Sequence, residues 1–234
     1  MAVPQHVVIV PDGNRRWAKK QGRPIFFGHQ KGAETIGKIL QAALGLKIPC
    51  LTIWGCSLAN ITERSREEVN FLYALFEQYF KKLLKSKEVR KNEVRIRVIG
   101  RWQEFFPEGL KAATRELMEL TKNYNHYRLN FLMAYSGVDE MTNAIQKIVS
   151  LPKNPHSVTI SPILVKQHLW TSDLPPVDLV IRAGGEPHWS AGMMMWDVAE
   201  SKLHFTETLW PDFSGEEFKR IIDGYGKTER RFGK

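Results

Sequence analysis

Asp12, Asn14, Arg15 and Arg16 fall within five residues, around Gly13 and directly after the apolar run Val7–Val10. Asp12 offers a hard oxygen ligand, Gly13 lets the backbone come close to an anion, and Asn14 with the two arginines supplies donors and charge. Pro11 to Asn14 are turn formers, and a helix-compatible segment follows at Trp17, so these groups gather where a strand ends and a helix opens. One carboxylate beside two guanidiniums suits a diphosphate bridged by magnesium. Taken alone, the segment also reads as ordinary Asp-Gly-Asn turn chemistry beside a solvated Arg-Arg pair.

The elements that must position such a site recur along the chain. Leu51–Gly55 reads as a second buried strand, followed by Ser57, Asn60, Thr62 and Arg64, which also fit a loop with a helix cap. Val94–Ile99, Leu129–Ala134 and Val177–Ile181 read as further strands, the last running into Arg182. Between them lie amphipathic helices over Lys31–Ala43, from Arg66 through Phe80, over Pro107–Lys122 and over Val138–Val149. The basic stretch Lys81–Lys91 reads as the exposed end of a helix, and Leu151–His156 as a surface loop. Strands alternating with helices imply an α/β fold with a mainly parallel sheet flanked by helices, whose ligands bind beyond the carboxyl ends of the strands. Three such ends carry Asp12, Ser57 and Arg182.

With 234 residues and 43% apolar content, the chain is expected to form one domain over 1–234. Cys50 and Cys56 are too few for a disulfide scaffold and read as small buried apolar residues. The N-terminus lacks a leader pattern and no apolar stretch reaches membrane-span length, so a soluble cytoplasmic protein is expected. The net charge of +9 suits nucleic acid, an anionic bilayer surface or a phosphorylated substrate. Nucleotide-binding glycine motifs and zinc-like Cys/His spacings are missing, and no aromatics alternate with the Lys/Arg runs as a nucleic-acid module would require.

From His6 to the C-terminal Glu-Arg-Arg-Phe-Gly, the chain resembles the cis-prenyltransferases, the undecaprenyl diphosphate synthase family. The resemblance is carried by Asp12-Gly-Asn-Arg-Arg-Trp-Ala18, Phe27-Gly-His29, Arg97-Val-Ile-Gly100, Asp178-Leu-Val-Ile-Arg-Ala-Gly-Gly-Glu186 and Leu209-Trp-Pro-Asp-Phe213. It implies a magnesium-dependent enzyme, homodimeric or heterodimeric, that condenses isopentenyl diphosphate with an allylic diphosphate and creates cis double bonds. On that resemblance Asp12 holds the magnesium, and Gly13, Asn14, Arg15, Arg16, Trp17, Arg23 and His29 surround the allylic diphosphate. Ser57, Asn60 and Arg64 position isopentenyl diphosphate; Arg182, His188 and Ser190 lie at its diphosphate; Arg231 and Gly233 reach across the dimer interface. Asp12, Asn14 and Asn60 are the expected catalytic residues. An apolar prenyl tunnel along Val69–Phe80 is also implied, with Phe71, Leu72, Leu75, Phe76 and Tyr127 as bulky candidates for closing it at short or medium product length. Peripheral contact with a membrane is compatible with that product.

Three departures bear on function. His188 stands where the family usually has an arginine, and a partly charged imidazole cannot make a guanidinium's bidentate fork. Lys202 stands where the family usually has a glutamate that helps hold magnesium from the partner chain. The spacing also differs by one residue around Asn60–Arg64 and around Ala191–Met195. These changes point to irregular coupling of two dimethylallyl-type units as the alternative to chain elongation. A noncatalytic partner subunit is the other alternative, against which the presence of Asp12 counts.

Overall fold

The computed structural model describes residues 3–151 and 159–227. Five strands follow the sequence pattern: β1 (His6–Val10), β2 (Cys50–Trp54), β3 (Val94–Ile99), β4 (Tyr127–Leu132) and β5 (Leu179–Arg182). A sixth, β6 (Lys202–Phe205), was not expected. The order is β3-β4-β2-β1-β5-β6, and every pairing is parallel. All five residues of β1 and of β2 are buried, as strands in the middle of a parallel sheet should be, and the two polar ones, His6 and Thr52, hydrogen-bond each other at 2.8 Å.

Odd and even positions separate the strands into two faces. Val7 and Ile9, Leu51 and Ile53, and Leu179 and Ile181 face the larger core, which is closed by α2 (Ile25–Gly45), α4 (Arg66–Leu84), α7 (Glu108–Thr121) and α10 (Gly215–Gly226). Val8, Val10, Trp54 and Val180 face a smaller core with Tyr135, Leu174, Met193 and Met194. Beside that second core, α8 (Gly137–Val149) packs on α9 (Pro162–His168).

Several boundaries differ from the sequence reading for local reasons. Helix α2 begins at Ile25, six residues before the expected start, because Pro24 supplies its N-cap and Gly28 and Gly32 are tolerated as close-packing positions. The basic stretch is not one helix end: α4 stops at Leu84, and Ser86 caps a separate α5 (Lys87–Lys91) by accepting the Val89 N–H at 3.3 Å. β4 ends at Leu132 rather than Ala134, since Ala134 adopts φ 49 and turns the chain. Of the expected loop Leu151–His156, only Leu151 lies within the described residues. Both cysteines are free and buried, and burial pushes their thiols up to about 12 for Cys50 and about 11 for Cys56. Neither is a nucleophile at neutral pH.

From β1 the chain turns to β2 on one side, while β5 flanks β1 on the other. The segments leaving β1 and β5 diverge there, and a crevice opens beyond the carboxyl ends. Its wall is set by the approach of α2 to α1 (Asn14–Lys20): a Cβ on Gly28 would lie 2.1 Å from the Asn14 carbonyl oxygen, and one on Gly32 would lie 2.3 Å from Asn14 Oδ1. Gly28→Ala is therefore expected to cost about 1–3 kcal/mol in urea unfolding. Gly37→Ala, in the same helix with nothing within 4 Å, should stabilise by up to about 1 kcal/mol. Equal effects at both glycines would contradict the close-packing role of Gly28.

Candidate active site

The crevice is a cavity of about 800 Å³ at the ends of β1, β2 and β5. Asp12, Gly13, Asn14, Arg15, Arg16, Arg23, His29, Ser57, Asn60, Arg64, Arg182 and Ser190 all line it. Residues far apart in sequence are thus brought to one wall. Trp17 and His188 do not line the cavity directly, and Arg231 and Gly233 lie outside the described residues.

Asp12 sits at the centre. Its Oδ1 accepts the Gly13 N–H at 2.6 Å and lies 3.3 Å from Arg16 Nη2, while its Oδ2 accepts from Arg182 Nη2 at 2.8 Å. The geometry needs Gly13, whose φ of 98 is in the left-handed region and whose missing Cβ would lie 2.7 Å from Leu209 Cδ2. Behind the turn, Trp210 N–H donates to the Asp12 carbonyl at 2.9 Å and Trp210 Nε1 donates to the Gly32 carbonyl at 2.8 Å. The Leu209–Phe213 segment is therefore a buttress that fixes the β1 turn against α2.

Arg182 is 7% exposed, and its Nη1 donates to the His188 carbonyl at 3.0 Å and to Ser190 Oγ at 2.8 Å. Ser190 Oγ also lies 2.8 Å from His188 Nε2, so the exposed imidazole reaches the cavity through Ser190. Ser57 and Asn60 are tied to each other: Asn60 N–H donates to Ser57 Oγ at 3.0 Å and Ser57 N–H to Asn60 Oδ1 at 3.3 Å, which caps α3 (Leu58–Thr62). The cap and the cavity wall are the same residues. Trp17 is buried and stacks on Phe27 at 5.8 Å, with Arg23 over the other ring at 5.5 Å, so the tryptophan supports the arginine that faces the cavity.

Glu68 carries no distinguishing signal in the sequence and lies in the first turn of α4. It is 3% exposed, and its Oε1 accepts from Arg64 Nη1 at 2.9 Å and lies 3.0 Å from His29 Nε2. A carboxylate only accepts, so His29 donates from Nε2 and its Nδ1 is left as an acceptor when the ring is neutral. Burial pushes the imidazole below its ordinary value, against the pull of Glu68. Buried Asn14 Oδ1, Trp54 Nε1 and Arg182 Nε have no protein partner, and all three residues line the cavity. Such groups are costly unless a ligand completes them.

Lys202 opens β6 opposite Leu179, at the far end of these strands from Arg182, which pairs with Phe205. Within one chain it does not approach the cavity. It places its ammonium over the Tyr225 ring at 4.7 Å. Of the bulky residues expected to close a tunnel, Leu72 lines the cavity, Phe71 packs against Phe26 as a tilted ring pair at 4.7 Å, and Phe76 and Tyr127 pack against the larger core.

Residues 10–233 match the family described as "Putative undecaprenyl diphosphate synthase". The chain belongs to the undecaprenyl diphosphate synthase family. A tritrans,polycis-undecaprenyl-diphosphate synthase (geranylgeranyl-diphosphate specific) of Pyrococcus abyssi is 39% identical, covering 99% of this chain and 88% of its own. A ditrans,polycis-undecaprenyl-diphosphate synthase ((2E,6E)-farnesyl-diphosphate specific) of Coxiella burnetii is 38% identical over 99% of this chain and 96% of its own. The crystal structure of lavandulyl diphosphate synthase from Lavandula x intermedia in complex with dimethylallyl diphosphate has a TM-score of 0.92 at 29% identity, covering 99% of both chains. In this family member the β1 turn and the Arg182 strand end thus form one cavity wall, with the Leu209–Phe213 buttress behind it.

The depressed basicity of His29 gives a test of its environment. Because the folded state binds this proton less readily than the unfolded state, the contribution of neutral His29 is full above about pH 6.5 and is lost as pH falls towards its lower folded-state value. The stability difference between wild type and His29→Gln should shrink on acidification below pH 6.5, with a slope of at most about 1.4 kcal/mol per pH unit. Parallel stability curves for the two proteins from pH 7.5 to 5 would contradict a buried neutral His29.

Proposed function

We propose that this chain is a prenyltransferase that condenses isopentenyl diphosphate with an allylic prenyl diphosphate, forming cis double bonds and releasing diphosphate. The observation that carries the reading is the convergence of Asp12, Asn14, Arg15, Arg16, Arg23 and Arg182 on one cavity in a chain of this family. One anion cradle faces Arg15, Arg16 and Arg23; a second faces Arg182 and Ser190, with Asp12 between them. Ionising an allylic carbon–oxygen bond puts charge on the departing diphosphate, so guanidiniums held there stabilise the transition state more than the ground state. Ile25 and Leu72 give the same cavity an apolar side, where water is kept from the allylic carbon.

The donor set fits magnesium. Among the described residues no three His, Cys, Asp or Glu side chains converge as a metal cage. Magnesium is commonly held by one or two carboxylates, substrate phosphates and water, and Asp12 beside an anion cradle is that kind of set. When bound, the ion supplies Lewis-acid stabilisation of the leaving diphosphate. Asp12 would be its protein ligand, and Arg182 would turn from Asp12 Oδ2 to the acceptor diphosphate.

Asn14 and Asn60 complete the reading as catalytic positioning groups, with His29, Ser57, Arg64 and His188 around the diphosphates. The relatives at 39% and 38% identity are named for different allylic primers. Primer choice is accordingly read as a property of the apolar wall. The reading treats 1–234 as one domain and a second copy of the chain as its partner, an assignment supported by Leu203 and Phe205, 50% and 38% exposed on the edge strand β6. No described helix is long and apolar enough to cross a membrane, which suits a cytoplasmic enzyme that meets membranes at their surface.

One observation favours a second reading, coupling of two dimethylallyl-type units. The lavandulyl diphosphate synthase that shares the fold was crystallised with dimethylallyl diphosphate, and His188, one of the departures of this chain, lies beside Ser190 on the proposed acceptor side.

Incubation with labelled isopentenyl diphosphate and dimethylallyl, geranyl, farnesyl or geranylgeranyl diphosphate should give product with at least one primer. Asp12→Ala should lower kcat on the order of 10²–10³-fold, and EDTA should stop turnover until magnesium is restored. No turnover with any primer would reject elongation, and product from dimethylallyl diphosphate alone would select the second reading. His188→Arg should lower the KM for isopentenyl diphosphate severalfold; an unchanged or raised value would contradict its acceptor-side placement.

A further inference from the structure

The segment Ser190–Met194 carries the serine that Arg182 grips, and its backbone is strained. Ala191, Gly192 and Met194 adopt φ of 48, 58 and 45, and two of these are not glycine. Left-handed residues of this kind persist only where the surroundings hold them. Two contacts do so, both from the junction of β4 and α8. Gly137 N–H donates to the Ala191 carbonyl at 2.9 Å, and Met194 N–H donates to the Tyr135 hydroxyl at 3.1 Å. A Cβ on Gly137 would lie 1.7 Å from the Gly192 carbonyl oxygen, so the fit admits no side chain there.

Tyr135 is fully buried and is itself fixed from behind. Its hydroxyl donates to Glu140 Oε2, while Glu140 Oε1 accepts the Thr171 N–H at 2.9 Å and lies 3.0 Å from Thr171 Oγ1. Thr171 Oγ1 in turn lies 2.6 Å from Asp197 Oδ2, and Lys166 binds Asp197 Oδ1. The threonine has one hydroxyl hydrogen for two carboxyl groups. The chain is completed when Glu140 carries a proton and donates it to Thr171, which donates to Asp197. Burial pushes Glu140 above the usual carboxylate range, in the same direction.

We propose that Tyr135, locked by Glu140, is a positioning residue for the acceptor-diphosphate site: it holds Met194 and thereby fixes Ser190 where Arg182 and the acceptor meet. The inference rests on the function proposed above, which puts the acceptor diphosphate at Arg182 and Ser190. It assigns Tyr135 no contact with substrate. Loss of its hydroxyl leaves the Met194 N–H without an acceptor and frees the strained turn, so acceptor binding suffers while the Arg15–Arg16 side of the cavity is untouched.

Tyr135→Phe keeps the buried ring and removes only the hydroxyl. The expected result is an approximately tenfold rise in KM for isopentenyl diphosphate, about 1.4 kcal/mol, with the allylic KM changed less than twofold. Hydrogen exchange over residues 190–194, read by mass spectrometry without substrate, should quicken at least tenfold, while exchange in β1 and β2 stays as in the wild type. Gly137→Ala, acting from the other contact, should give the same split. Unchanged exchange in Tyr135→Phe would overturn the docking of the segment whatever the kinetics. Faster exchange with an unchanged acceptor KM, or with both KM values rising together, would overturn the positioning role. A wild-type protein that turned over no substrate would instead reject the proposed function, because the exchange measurement reads the docking without turnover.

Discussion

The whole arrangement depends on one carboxylate held between cations at the end of the central strand. Asp12 accepts from Arg182 across the β1–β5 pairing and lies beside Arg16 from the helix that follows it. The ion pair is partly open to the cavity, with the Asp12 side chain 32% exposed and that of Arg182 8%. A buried, hydrogen-bonded guanidinium that faced no anion would be destabilising. In the absence of ligand Asp12 satisfies Arg182; with a diphosphate present, phosphate oxygens can take that place.

Around it, close backbone packing does what long side chains could not. Gly28 and Gly32 let α2 press on Asn14, and the Leu209–Phe213 buttress locks the β1 turn from behind. On the other side of the cavity, buried Glu68 gathers buried His29 and the half-buried Arg64 into one cluster. Glu68 neutralises part of a strongly cationic cavity and fixes the direction in which His29 donates. On the proposed function, this cavity takes two diphosphates on groups that already bind one another, Asp12 with Arg182 and Glu68 with Arg64 and His29.

Much of this was legible in the sequence, for identifiable reasons. Val7–Val10 and Leu51–Gly55 read as strands because they are short apolar runs, and Asp12, Ser57 and Arg182 mark strand ends because glycines or turn formers lie beside them. β6 was not legible: it has four residues at the sheet edge, with no buried run to announce it. The first turn of α2 was hidden by the glycines that make its close approach work. Glu68 and Glu140 look like charges on the first turns of α4 and α8, and only the tertiary structure shows that each is 3% exposed and bonded to site elements. Trp17 reads as a substrate neighbour on the strength of the residues beside it; in the fold it is buried against Phe27, the ring over which Arg23 lies. The motif identified the neighbourhood, and packing decided each residue's task.

The most direct measurement is a crystal structure of the protein with magnesium and a non-hydrolysable thio analogue of an allylic diphosphate. The phosphorus atoms are expected beyond the end of β1, with their oxygens within hydrogen-bond distance of Asn14, Arg15 or Arg16, the metal on Asp12, and Arg182 released from Asp12 Oδ2. An anion bound outside this cavity, with Asp12 still paired to Arg182 and bearing no metal, would contradict it.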